Sequence, residues 1–231
     1  MFSIKKHIPN ALTCCNLLSG CVATSFAYNG DIKAAFLFII LGAVFDFFDG
    51  MIARLFHVSS PIGKELDSLA DNITFGVAPS MMVFYELGQL NCPVFLEPLK
   101  AFLPYTAFLI AAFSALRLAK FNIDERQSKS FIGLPTPANA LFWGGLLMLQ
   151  SNYKDTPAFY IIILLLVFLS SYLLISEIPM FSLKFKLNNW KENKFCLYFI
   201  GIAALILIIL SLPAFAIIIT WYVILSIIRK K

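Results

Sequence analysis

Long apolar stretches alternate with short polar breaks along the whole chain. A helix that crosses a bilayer needs roughly 20 mostly apolar residues. Reading between the charges predicts such stretches near 11–28, 33–54, 65–88, 100–120, 134–152, 157–176, 195–211 and 213–228. The last two are separated by argument, because no charged residue occurs from Phe195 to Ile228. As one helix that run would be about 50 Å long, against a hydrocarbon core of roughly 30 Å. Ser211-Leu212-Pro213 supplies a turn, since proline disfavours helix in the residue before it. The pattern therefore predicts an all-α, polytopic integral membrane bundle of about eight transmembrane helices.

Composition agrees with a membrane class. Hydrophobic residues make up 60% of the 231, only 13% are charged, and the mean hydropathy is +0.83. Soluble domains carry about 25% charged residues, so disorder, a disulfide-stapled secreted domain and a nucleic-acid module are excluded. The net charge of +5 reads first as topology. With the N-terminus inside, only Lys33, Lys100 and Lys154 of the 18 basic residues fall outside, which favours N-in, C-in. The five cysteines form no C-x-x-C pair, so they indicate neither a zinc nor a redox site. Lys5, Lys6 and Leu18-Ser19-Gly20-Cys21 imitate a lipoprotein signal. Pro9, Asn10, Thr13 and Asn16 interrupt its core, so the chain is expected to be mature from Met1. The polar segment Leu183 to Lys194 is expected to separate a chemical front from a structural tail; the catalytic bundle is expected over 1–152, and hydrophobic helices serving as scaffold or dimer interface over 153–231.

The chemistry gathers where the second predicted span ends and the third begins. Asp46 and Asp49 are three residues apart, and Asp67 and Asp71 are four apart, so each pair shares one helix face. A short loop joins the two helices, which sets the pairs facing each other. Acids at the membrane interface cost several kcal/mol unless neutralised, and Arg54 is the one base nearby. Hard divalent cations such as Mg²⁺ or Mn²⁺ are the remedy that carboxylate oxygens fit. Gly50, Ala53 and Gly63 leave room beside them for a backbone or a flat ligand.

The full pattern, D-x2-D-G-x2-A-R-x8-G-x3-D-x3-D over residues 46–71, resembles the signature of the CDP-alcohol phosphotransferases, with every fixed position present. These are integral membrane enzymes that move a phosphatidyl-type group from a CDP-linked lipid to an alcohol and release CMP. Further segments are similar to the bacterial and archaeal phosphatidylserine synthase branch. They are Asp67-Ser-Leu-Ala-Asp71 with Phe75-Gly-Val-Ala-Pro79, Arg117-Leu-Ala-Lys-Phe-Asn122, Gly133-Leu-Pro-Thr-Pro137, and Pro9-Asn10 with Thr13, Asn16 and Gly20. Lys120 stands where that branch leads one to expect arginine, which keeps the charge but loses bidentate phosphate binding.

The resemblance implies Asp46, Asp49, Asp67 and Asp71 as ligands of two Mg²⁺ or Mn²⁺ ions, with Asp71 as the general base on a serine hydroxyl. It implies CDP-diacylglycerol and L-serine as substrates, a homodimer among membrane lipids, no nucleic-acid partner, and an active site on the cytoplasmic face of the cell membrane. Gly50, Ala53, Arg54 and Gly63 would receive the CDP-lipid. Thr13 and Asn16 face either the nucleotide or the third helix. Arg117, with Lys120 and Arg126 behind it, is either the acceptor pocket or a headgroup anchor. Another family member, using glycerol 3-phosphate, an inositol phosphate or an archaeal ether lipid, is the first alternative. A divalent-cation transporter built on the same aspartates is a more distant one.

Overall fold

A computed structural model describes residues 7–58, 60–124, 131–149, 156–181 and 190–229. Helix α1 (His7–Tyr28) packs along its length on α2 (Ile32–Leu55). The tight corner between them is fixed by Gly30, at φ +83°, and by Asp31, whose carboxylate accepts from the Ala34 N–H as N-cap of α2. Ser60 caps α3 (Pro61–Asp71) by accepting from the Gly63 N–H, and Pro61 occupies its first turn. The helix continues through a π turn, Asn72–Val77, into α4 (Ala78–Gln89). Two 3₁₀ segments, Val94–Leu99 and Leu103–Phe108, lead into α5 (Leu109–Ile123). Helices α6 (Thr136–Leu147), α7 (Pro157–Ile175), α8 (Trp190–Leu210) and α9 (Ala214–Arg229) follow.

The one sheet among the described residues has two strands, β1 (Phe131–Ile132) antiparallel to β2 (Pro179–Met180). It ties the entry of α6 to the exit of α7. The Gly133 N–H donates to Ile178 O and the Leu134 N–H donates to Leu173 O. Gly133 has φ +76°, and a Cβ there would stand 2.6 Å from Leu174 O, so both conformation and space require glycine.

Phe36, Phe75, Met82, Ile110, Trp143 and Tyr160 lie at the centre of a core shared by α1, α2, the π turn and α4 to α7. A smaller cluster of Leu134, Met180, Phe199 and Tyr222 joins the ribbon to α8 and α9. Helices α1 and α2 and the π turn also cross closely. Thr74 donates to the Asn16 carbonyl at 2.9 Å, and a Cβ on Gly20 would overlap Thr74 itself. Large apolar side chains such as Leu18, Phe47, Phe168 and Ile208 remain exposed on the outer helix faces. Water would not tolerate so much exposed apolar surface, whereas lipid is its natural solvent.

The expectation of about eight spans is not met. Among the described residues four helices are long and apolar enough to cross a membrane, namely His7–Tyr28, Ile32–Leu55, Leu103–Ile123 and Pro157–Ile175. The stretch at 65–88 is divided by the π turn into a polar 11-residue helix and a 12-residue one. The stretch at 134–152 forms only the 12 residues of α6, which rise about 18 Å. The tail stretches form shorter apolar helices, Lys194–Leu210 and Ala214–Arg229. They are separated as expected at Ser211, which adopts φ +55°. The N-in, C-in assignment sorted the basic residues among the loops of eight spans, and four helices of spanning length do not support that sorting. Most of the dividing segment Leu183 to Lys194 lies outside the described residues or their described side chains, as do Lys154 and Arg126.

Candidate active site

The C-terminal halves of α2 and α3 bring the acidic pairs face to face. Carboxylate oxygens of Asp46, Asp49 and Asp67 all lie within 4.8 Å of one another. Asp71 adjoins Asp46 and is itself only 8% exposed. No ion pair within 4.0 Å reaches any of the four among the described residues. At that spacing each pair of carboxylates repels by about 3 kcal/mol, even at an effective dielectric near 20. Three oxygen donors held together without a counter-charge are the ligand set of a hard divalent cation, and Mg²⁺ or Mn²⁺ fits it.

Helix α1 holds these acids in place from behind. The Thr13 hydroxyl lies 2.6 Å from Asp49 Oδ2 and 3.0 Å from Pro9 O, and its one proton serves the carboxylate at the shorter distance. Asn16, fully buried, donates from Nδ2 to Asp71 Oδ1 at 3.1 Å. Of the two interpretations left open for these residues, the structure places both against the aspartates. Thr13 also lines the neighbouring cavity, and Asn16 does not.

That cavity, of about 290 Å³, is lined by Asp49 and Asp67 together with Gly50, Ala53, Gly63 and Lys64. Of the positions expected to receive a CDP-lipid, Thr13, Gly50, Ala53 and Gly63 are therefore gathered beside the acidic cluster. Arg54 does not line it. Its guanidinium lies along α2, with Nη1 3.6 Å from where a Cβ on Gly50 would be.

On the other side, α5 carries Arg117 and Lys120 into a second cavity of about 220 Å³. Arg117 is 7% exposed, lies 5.1 Å from the Phe121 ring centroid, and sits within electrostatic reach of Asp71. The two resembling segments meet here. Asn122 donates to Ser68 Oγ at 2.8 Å, and the Lys64 ammonium donates to Asn122 O at 2.9 Å, which locks α3 to the end of α5. Asp124, Ser176 and Glu177 complete the cavity, and none was singled out from sequence. The one signal for Glu177 was an acid closing the apolar run of α7, directly before Ile178-Pro179.

Fold and site together define a polytopic membrane protein with an acidic, hard-cation site beside two cavities that carry charged side chains in their walls. The family profile of the CDP-alcohol phosphatidyltransferases matches residues 6–182. A Bacillus subtilis protein named CDP-diacylglycerol–serine O-phosphatidyltransferase is 40% identical over 132 residues, covering 57% of this chain and 70% of its own. The Helicobacter pylori (strain 26695) protein of that name is 33% identical over 151 residues, 63% of this chain and 59% of its own, under two thirds of that protein's length. The one from Methanocaldococcus jannaschii is 33% identical over 218 residues, 94% of this chain and 90% of its own. The chain belongs to the CDP-alcohol phosphatidyltransferase family.

Proposed function

We propose that this protein transfers the phosphatidyl group of CDP-diacylglycerol to the hydroxyl of L-serine, giving phosphatidylserine and CMP. The observation that carries the reading is the position of the aspartate cluster, with Asp49 and Asp67 on one cavity and Asp71 within reach of Arg117 in the other. The relatives' shared name supports serine as the acceptor.

In this reading Asp46, Asp49, Asp67 and Asp71 hold two Mg²⁺ or Mn²⁺ ions. Such ions, when bound, neutralise phosphate charge and stabilise attacking and leaving oxygens. Gly50, Ala53 and Gly63 admit the nucleotide, and Arg54 offers positive charge to the donor. Arg117 and Lys120 receive the serine carboxylate. Asp71 accepts the hydroxyl proton as the serine oxygen bonds to phosphorus and the bond from phosphorus to the CMP oxygen breaks. Arg54, Lys64, Arg117 and Lys120 gather at the site's end of the bundle, which supports a site facing the cytoplasm. The homodimer implied by the family resemblance belongs to the same proposal, and light scattering of the purified protein tests it.

The experiment is turnover by the full chain in detergent micelles with CDP-diacylglycerol and Mn²⁺ or Mg²⁺. Serine, glycerol 3-phosphate and inositol phosphate are offered separately, following CMP and lipid product. Product with serine alone, lost on chelation, is expected. Product with a different alcohol overturns the acceptor, and no turnover by folded protein overturns the enzyme reading in favour of cation transport.

A further inference from the structure

Helices α6, α7 and α9 enclose a third cavity, of about 200 Å³, back to back with the second. Its apolar lining comes from Leu134, Phe142, Leu166, Leu173, Ile219 and Val223. The two cavities share a partition, in which the Leu134 N–H donates to Leu173 O while Leu174 and Ile175 line the other side. Leu169 and Ile224 also line the third cavity and are exposed on the outer faces of α7 and α9. Its mouth therefore opens sideways, onto the apolar helix faces that lipid covers.

Three polar side chains stand in this apolar wall. Ser170 Oγ accepts from Trp143 Nε1 at 3.2 Å and donates to Val167 O, and Thr220 Oγ1 donates to Ala216 O at 2.8 Å. Asn139 is fully buried, and neither its Oδ1 nor its Nδ2 has a partner among the described residues. A buried carboxamide with both ends unpaired is costly, because each end gave up water on folding. Water suits the place poorly, since it needs about two to four polar partners and both neighbouring hydroxyls are engaged.

The lining specifies an apolar ligand, and the amide specifies its head. Oδ1 needs a donor and Nδ2 needs an acceptor, side by side. An uncharged carboxylic acid presents a hydroxyl and a carbonyl at matching separation, so it closes two parallel hydrogen bonds on the amide. An ester offers only acceptors, a hydrocarbon offers neither, and a lone hydroxyl does not span both amide atoms. The ionised acid lacks the donor and is disfavoured in hydrocarbon surroundings. The χ2 torsion of asparagine is broad, so the amide turns to meet a head that enters the cavity it lines.

We propose that this cavity is a lateral binding site for the uncharged carboxylic acid head of a single-chain fatty acid, with Asn139 as the residue that recognises it. The first few methylenes of the chain fill the cavity, and the remainder passes between Leu169 and Ile224 into the bilayer. An apolar cavity of about 150 Å³ takes a benzene-sized molecule, so this one has room for the head and those methylenes. Ile219, Val223 and Ile224 lie beyond residue 182, where the match to the family profile ends, so one wall of the site lies outside the region shared with that profile.

The test uses the full chain in phosphatidylcholine nanodiscs at pH 6, with a decanoic acid that carries a diazirine on its chain. After photolysis the labelled residues are mapped by mass spectrometry. Decanoic acid and methyl decanoate serve as competitors, compared at equal mole fraction in the bilayer. Label on Leu166, Ile219 or Val223 is expected, and decanoic acid should suppress it at least tenfold more effectively than the ester. Asn139→Leu keeps the size of the side chain and removes both polar atoms, and it should bring the two competitors within twofold of each other. Equal competition in wild type overturns the proposal, because it would report a crevice open to any alkyl chain. Label spread evenly over the exposed faces of α7 and α9 overturns it too, as does a tenfold preference that survives Asn139→Leu. If Asn139→Leu fails to elute as a single species, the comparison of acid with ester in wild type decides. No turnover is read, so the outcome is independent of which alcohol the protein accepts.

Discussion

Replacing Thr13 with valine tests how the aspartates are held. Valine keeps the branched shape and removes one hydroxyl, the group 2.6 Å from Asp49 Oδ2. Both partners are buried, with Thr13 4% and Asp49 5% exposed, so water cannot easily replace the lost donor. A hydrogen bond to a charged group contributes about 1.5–3 kcal/mol net, which is roughly ten- to hundredfold in an equilibrium constant. Partners that orient metal-ligating carboxylates typically matter by a similar factor of about 10–100. Two titrations read the effect. One follows turnover against Mn²⁺, and the other follows the thermal unfolding midpoint against Mn²⁺ without substrate, where a bound ion stabilises by mass action. Both midpoints are expected to move about 10–100-fold to higher Mn²⁺, read against a metal-free unfolding midpoint that itself falls as the buried bond is lost. A Mn²⁺ midpoint within twofold of wild type in the substrate-free titration would refute the argument that Thr13 sets Asp49 for a cation.

Three further outcomes follow from the structure. Asp71→Asn should abolish CMP release while the protein elutes and melts as wild type does, and turnover by this variant would remove Asp71 from the role of base. Gly20→Ala places a methyl against the Thr74 backbone, with Cα 2.7 Å away. Such overpacking costs about 1–3 kcal/mol, so the unfolding midpoint should fall by several degrees. Gly201→Ala has nothing within 4 Å, and the midpoint should hold or rise slightly through helix propensity.

The aspartate cluster was legible because helical spacing is local. Intervals of three and four residues put Asp46 with Asp49 and Asp67 with Asp71 on single faces whatever the rest of the chain does. That three of them converge within 4.8 Å needed only the short connection through Ser60 and Pro61. The work done by Thr13 and Asn16 was not legible, since their partners lie 36 and 55 residues away. The span count failed for a different reason. Apolar length says where a helix is tolerated, and not where its hydrogen-bond register shifts, as at Asn72–Val77, or where it stops, as at Leu147. Glu177 escaped notice because an acid at the end of an apolar run usually just faces water. Only the two-residue ribbon reveals that it shares a cavity with Arg117.

That ribbon also imposes an order on synthesis. The residues that line the first cavity and hydrogen-bond the aspartates, from Pro9 to Asp71, belong to the first third of the chain and can assemble as soon as α3 has emerged. The second cavity has only its α5 wall until residues 174–180 leave the ribosome and β2 finds β1. A nascent chain thus passes through an interval in which one half of the site is built and the other stands open. A chain cut after α6 would be arrested permanently in that interval, with its aspartates placed and one wall missing.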